Sequence, residues 1–255
     1  LTIAAAGSEM SNSCVITNEE GWYKKALDTD LARPKFAIMN PEITYTLPDY
    51  QTQCGCADIM MHTMERYFVL EDTMEITDKI AQDVMKNVMK YAKILKKDPE
   101  NYEARAEIMW CGSLSHNGLT GCGTCGGDWA THLIEHELGG MFDVAHGAGL
   151  AAVWGSWARY VMDEKPERFA QFAVNVMGVK ESEDVKSTAL KGIEAVEDFY
   201  RMIEMPTNLK ELGIDPTDEQ IKDMAMKATN HDTQQLGAFK KLSAKDLVEI
   251  YKAAK

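Results

Sequence analysis

The sequence predicts a mainly α protein, an all-helical domain over residues 47–255 preceded by a short β-rich segment over residues 1–46. Three observations carry this reading. From Leu47 onward, apolar residues recur at three- and four-residue spacing, the period of one helix face. Before that point the apolar or β-branched runs, at 1–6, 13–17 and 35–39, are short and separated by Gly, Asn, Asp and Pro. The pairs Asp98-Pro99, Lys165-Pro166 and Met205-Pro206 then punctuate the helical part, because proline cannot continue a helix from its interior.

Taken in order, the pattern places helices over 48–70, 75–97, 101–119, 129–142, 147–163, 166–176, 183–204, 218–229 and 243–253. Met60 and Met61 are adjacent and so cannot share one face, which makes at least one of them core. Glu181, Glu183 and Asp184 read as a solvated helix start, where carboxylates meet the positive end of the dipole. The three runs of the first 46 residues read as strands, too few to bury both faces of a sheet unaided. No internal repeat or low-complexity tract is present.

Composition narrows the function classes. With 255 residues, 45% of them hydrophobic and 26% charged, the chain has enough apolar surface for a substantial core. A net charge of -13, spread along the chain, argues against nucleic acid and anionic membrane as partners. No stretch reaches the roughly 20 apolar residues that cross a bilayer, and Leu1–Ala6 lack the basic start of a secretory leader. Six cysteines are too sparse for a disulfide scaffold, so a reducing cytoplasm is expected. Cys14 and Cys111 read as small core residues. Opening in a predicted strand at Leu1, without an initiator Met, is what a segment of a longer chain would show.

The chemistry lies in one carboxylate and a cluster of imidazoles. Of six histidines, three fall within fifteen residues: His132, His136 and His146. His132 and His136 are spaced i, i+4 and project from one helix face. Asp58 and His62 have the same spacing upstream, so a second helix presents a carboxylate and an imidazole to one point. Gly139-Gly140 and Gly147 read as turning points that bring His146 back. Single histidines on helices are ordinarily hydrogen-bonded structural residues; two such pairs plus His146 make a metal constellation. Periodicity leaves open which imidazoles bind. His132-Leu133-Ile134-Glu135-His136 also fits the His-x-x-Glu-His pattern of some zinc proteases, which makes a metal-dependent hydrolase with Glu135 as general base one alternative. A helical metal-binding module without catalysis is another. Cys54, Cys56, Cys122 and Cys125 offer four thiolates for a structural zinc, against a reading as free thiols.

Asp58-x3-His62, His132-x3-His136 and His146-Gly147, supported by 1–9, 36–41 and 117–121, resemble the signature of the iron-containing (group III) alcohol dehydrogenases, in the branch of butanol dehydrogenases and broad aldehyde reductases. This resemblance implies a metal-dependent, NAD(P)H-linked alcohol dehydrogenase or aldehyde reductase acting on a small alcohol or aldehyde, and a possible homodimer. It implies Fe²⁺, or Zn²⁺, held by Asp58, His62, His132 and His146, with His136 near the nicotinamide assisting proton transfer. It makes residues 1–46 the remnant of an α/β dinucleotide-binding domain, with Thr2 and Lys24 touching the cofactor. At Ala6 the related sequences commonly carry Thr. The glycine-rich phosphate loop of such a domain is absent from the 255 residues. The run 121–127 is glycine-rich but follows a predicted helix rather than a strand. The 255 residues alone are therefore expected to be inactive.

Overall fold

The structure, a computed structural model, describes residues 1–71 and 75–255. Two strands, β1 (Ser13–Asn18) and β2 (Tyr23–Asp28), form an antiparallel hairpin with Ile16 opposite Lys25 and Thr17 opposite Lys24. Nine α-helices follow among the described residues: α1 (Asp49–Tyr67), α2 (Glu75–Leu95), α3 (Tyr102–His116), α4 (Ala130–Phe142), α5 (His146–Val161), α6 (Pro166–Asn175), α7 (Val185–Met202), α8 (Asp218–Ala228) and α9 (Ala244–Ala253). Each predicted helix is found, with its ends shifted by a few residues; the fifth begins one residue earlier, at His146. None of them is long and apolar enough to cross a membrane.

The β readings fare differently. Residues 1–6 and 35–39 form no strand, and β2, with the sequence Tyr-Lys-Lys-Ala-Leu-Asp, was not anticipated. Its lysines depress the β signal, and pairing across the turn at Gly21 supplies what propensity does not. With no second layer against it, every residue of β1 stays exposed, Cys14 among them, which corrects its reading as core; Cys111 is buried as expected.

The helix boundaries are chemical. Pro166 occupies the first turn of α6, where its missing N–H costs nothing. Asp184 caps α7 by accepting from the backbone N–H groups of Lys186 and Ser187. Thr217 with Gln220, and Ser243 with Asp246, form reciprocal capping boxes at α8 and α9.

Helix α1 runs through the middle, packed by α2, α3 and α5, so its surface is buried nearly all round. Met60 and Met61 are therefore both core, each fully buried. Beyond its end, Phe68 stacks on Phe169 with ring centroids 4.3 Å apart, beside Trp154, Trp157 and Phe172. Each such aromatic, taken fully out of water, contributes about 1.5–3 kcal/mol. Gly147 sets the approach of α5 to α1, because a Cβ there would lie 2.0 Å from the Cys54 carbonyl oxygen. The turn between α4 and α5 is made instead by Asp143, in the left-handed region at φ 52°. Gly139 and Gly140 sit inside α4 and give close approach to β2 rather than a turn.

Candidate metal centre

Three helices bring the site together. Gly147 backs onto Cys54, and Asp58 lies one turn further along the same face of α1, so His146 at the start of α5 arrives over Asp58. Helix α4 is fixed by Glu65, also on α1. The Glu65 carbonyl accepts from Asp128 N (2.9 Å), and its Oε1 accepts from His132 N (3.0 Å), one of the N–H groups the first turn of a helix leaves unpaired. The Asp128 carboxylate closes the same corner, accepting from the backbone N–H groups of Ala130, Ala238 and Phe239. His132 is thereby set in the first turn of α4, facing α1.

Asp58, His132 and His146 each offer a ligand atom, and these atoms lie within 4.8 Å of one another. Asp58 Oδ1 is 3.7 Å from His132 Nε2 and 3.7 Å from His146 Nε2. Those gaps are too long for hydrogen bonds. His62 stands beside the group rather than in it: its Nδ1 lies 3.1 Å from Asp58 Oδ1 and 2.9 Å from the Asp58 carbonyl, and its ring is 4.3 Å from that of His132. His136, one turn beyond His132, lies 5.7 Å from His146 ring to ring and forms a second close group with Glu135 and His146. Lys24, on β2, reaches Glu135 with Nζ 3.3 Å from Oε2, while Thr2 is exposed near the amino terminus. None of the cysteines joins a ligand group among the described residues; all six thiols are free, with Cys54 and Cys56 buried and Cys122 and Cys125 exposed.

Two participants escaped the sequence reading. Glu65 holds α4 and reaches His132 Nδ1 at 3.3 Å. His116, at the end of α3, packs its ring 3.8 Å from that of His62. Their local spacing gives no signal, because each meets the site only through tertiary packing.

The charges around Asp58 are strongly coupled. Burial opposes its ionisation, but His62, His132 and His146 hold its carboxyl well below the usual carboxylate range. Burial likewise works against protonation of His132, yet Glu65 and Asp58 outweigh it and hold that ring up to about 9. Burial pushes His136 down to about 2, helped by the neighbouring His146, and pushes His116 down to about 2, helped by His62. The interior is thus anionic at Asp58, cationic at His132 and neutral on the His136 side.

Comparison with known proteins identifies the relatives of this chain. The profile described as "Fe-containing alcohol dehydrogenase family, C-terminal" matches residues 52–255. NADH-dependent butanol dehydrogenase A of Clostridium acetobutylicum is 35% identical over 99% of this chain and 64% of its own length. NADPH-dependent aldehyde reductase YqhD of Escherichia coli is 32% identical over 100% of this chain and 65% of its own length. The crystal structure of NADH-dependent butanol dehydrogenase A from Thermotoga maritima superposes with a TM-score of 0.93 at 36% identity, over 100% of this chain and 64% of that one. The chain thus spans a little under two thirds of the relatives it matches, and over that span it belongs to the iron-containing alcohol dehydrogenase family.

Proposed function

We propose that residues 47–255 form the metal-binding domain of an NAD(P)H-linked alcohol dehydrogenase or aldehyde reductase, with residues 1–46 at the edge of its cofactor side. The observation that carries this is the convergence of Asp58, His132 and His146 from three helices. His132 Nε2 is buried without a hydrogen-bond partner among the described residues, and Asp58 Oδ1 meets His62 Nδ1 at 3.1 Å without the geometry of a hydrogen bond. Leaving such atoms unmatched costs about 1–3 kcal/mol each. Their 3.7 Å separation fits two ligands sharing one ion at about 2.0–2.2 Å each. One carboxylate with imidazoles suits a borderline divalent ion, Fe²⁺ or Zn²⁺. His62 is the fourth ligand in this reading and would exchange its contact with Asp58 for the ion.

A divalent ion held there supplies Lewis-acid polarisation of an alcohol or carbonyl oxygen. Asp58 and Glu65 balance its charge from the interior. His146, the most exposed of the ligands with 29% of its side chain in solvent, marks the open side where a small alcohol or aldehyde enters. His136, whose ring lies 5.7 Å from that of His146, is the residue this reading places by the nicotinamide to assist proton transfer. Lys24 and Thr2 are the chain's contacts to the nicotinamide cofactor. Relatives named as NADH- and NADPH-dependent support the cofactor class and the choice of butanol or butanal as probe. The family reading also supports a homodimer in the cytoplasm.

The hydrolase alternative loses its base. Glu135 is fully buried, hydrogen-bonded by His146 Nδ1 and paired with Lys24, so it faces no water.

The test is anaerobic loading with Fe²⁺ or Zn²⁺. One ion per chain is expected, and Asp58→Ala or His132→Ala should abolish tight uptake. Joined to the remaining third of a relative, the loaded chain should reduce butanal with NADH or NADPH. Failure to bind metal overturns the metal centre; ester or peptide hydrolysis without nucleotide overturns the dehydrogenase.

A further inference from the structure

Glu135 is the most enclosed charged group at the site that the reaction does not use. It lies on α4, one residue before His136, with its side chain fully buried. Its Oε2 accepts a close hydrogen bond from His146 Nδ1 and lies 3.3 Å from Lys24 Nζ. Missing side chains make the space for it. A Cβ at Gly149 on α5 would lie 2.9 Å from Glu135 Oε1, and one at Gly139 would lie 3.0 Å from that oxygen and 2.6 Å from Lys24 Nζ. Helices α4 and α5 and strand β2 therefore close around one carboxylate.

This enclosure has a chemical consequence. A neutral imidazole carries one N–H and one lone pair, on different nitrogens. A carboxylate against Nδ1 keeps the proton there and leaves the Nε2 lone pair toward Asp58, 3.7 Å away. His132 has carboxylates on the same two sides, Glu65 Oε1 3.3 Å from Nδ1 and Asp58 Oδ1 3.7 Å from Nε2, but without a hydrogen bond at Nδ1. His146 is the more exposed of the two rings and so the freer to rotate without such a partner.

We propose that Glu135 is a positioning residue that holds His146 in the tautomer and orientation presenting Nε2 to the metal, with Lys24 as its counter-ion. This rests on the reading of Asp58, His132 and His146 as ligands. Lys24 and Glu135 then set metal affinity without touching the ion, and they tie a strand on the cofactor side to the metal centre. Glu135, His136 and His146 are close enough to hold an ion of their own. Lys24 decides against that, because its ammonium already sits on the carboxylate a second cation would need.

The experiment compares the chain with Glu135→Leu, Glu135→Gln and the double variant Glu135→Leu/Lys24→Met. Zn²⁺ and Co²⁺ affinities are measured by chelator competition at a temperature where circular dichroism shows all four folded. The His146 tautomer is read from ¹⁵N shifts of the metal-free protein, a readout that needs neither metal nor turnover. Glu135→Leu should weaken metal binding about 10–100-fold and shift His146 away from the Nδ1–H form. Glu135→Gln keeps an oxygen that accepts from Nδ1–H, so it should retain the tautomer and lose less affinity. The double variant removes the stranded ammonium and should recover thermal stability without recovering affinity. Wild-type affinity and unchanged shifts in Glu135→Leu would overturn the proposal, as would a double variant that regains both properties. If the unaltered chain takes up no metal, the metal-centre reading falls and this inference falls with it; metal uptake with unchanged affinities sinks the positioning role alone.

Discussion

The N-terminal hairpin and the central helix α1 both contain large apolar residues and put them to opposite use. In α1, Ile59, Met60 and Met61 are fully buried; in the hairpin and the segment after it, Ile16 is 71% exposed, Leu27 65%, Leu31 95% and Phe36 81%. The difference is architectural. A helix surrounded by other helices buries every face, whereas strand β1 is exposed along its length and strand β2 packs on helix α4. What attaches the hairpin to the helical body is charge and close backbone approach. Lys24 pairs with Glu135, Lys25 pairs with Glu137, and a Cβ at Gly140 would lie 2.8 Å from the Trp22 carbonyl oxygen. The body is held by packing, and the hairpin meets helix α4 through the Lys24–Glu135 pair, the longer Lys25–Glu137 contact and close backbone approach.

The largest effect that would break this comparison lies in α1. Ile59→Ala should lower unfolding free energy by about 2–5 kcal/mol in denaturant titration, the range for deleting a buried branched side chain and leaving a cavity. A cost below about 1 kcal/mol would mean that α1 is not the packed centre. Next is Gly147→Ala, whose Cβ meets a backbone carbonyl at 2.0 Å rather than a flexible side chain. It should cost about 1–3 kcal/mol and weaken metal binding as well, because α5 must withdraw from α1 and carry His146 with it. Loss of stability with unchanged metal affinity would separate the helix contact from the site.

Glu137 tests the fastening itself. It is 3% exposed, and burial pushes its carboxyl up to about 7, with Lys25 and Lys227 pulling the other way. Folding therefore favours its protonated form. Its contribution is present below the ordinary glutamate range and is lost as pH rises through about 7. Glu137→Gln should be close to neutral at pH 5 and should stabilise relative to the parent by roughly 1–2 kcal/mol at pH 8, seen as diverging melting temperatures. Parallel pH profiles would show that the Lys25 pair, rather than burial, governs this carboxylate.

The same contrast explains what was legible in the sequence. Helical period and proline breaks are local, so the nine helices among the described residues could be placed from them. Apolar runs at 1–6 and 35–39 looked like strands because period alone does not say whether a partner strand exists. At the site, the i, i+4 spacings of Asp58 with His62 and of His132 with His136 are also local and were visible. Glu65, Glu135 and His116 act only through tertiary contacts, and Glu135, a general base in the hydrolase alternative alone, is sealed by packing behind His146. The resemblance groups His62 with Asp58, His132 and His146, and in the structure its Nδ1 lies 3.1 Å from Asp58 Oδ1.

The smallest predicted effect is the sharpest test of the difference between hairpin and body. Ile16 lies in the exposed strand β1 opposite Lys25. Removing most of its side chain exposes no new interior and opens no cavity, so the cavity and transfer penalties expected at Ile59 do not apply. What remains is one cross-strand contact along the stem of Lys25 and the loss of a β-branched residue, together about 0.5 kcal/mol. Ile16→Ala should therefore leave the melting temperature nearly unchanged. It should also leave Zn²⁺ affinity unchanged, because Lys24 stays paired with Glu135 through backbone register that the substitution does not touch. A cost above about 2 kcal/mol would show that the hairpin is held by apolar packing after all. A fall in metal affinity without a fall in stability would instead mean that β1 controls where Lys24 reaches, and that two lysines alone do not secure the strand to α4.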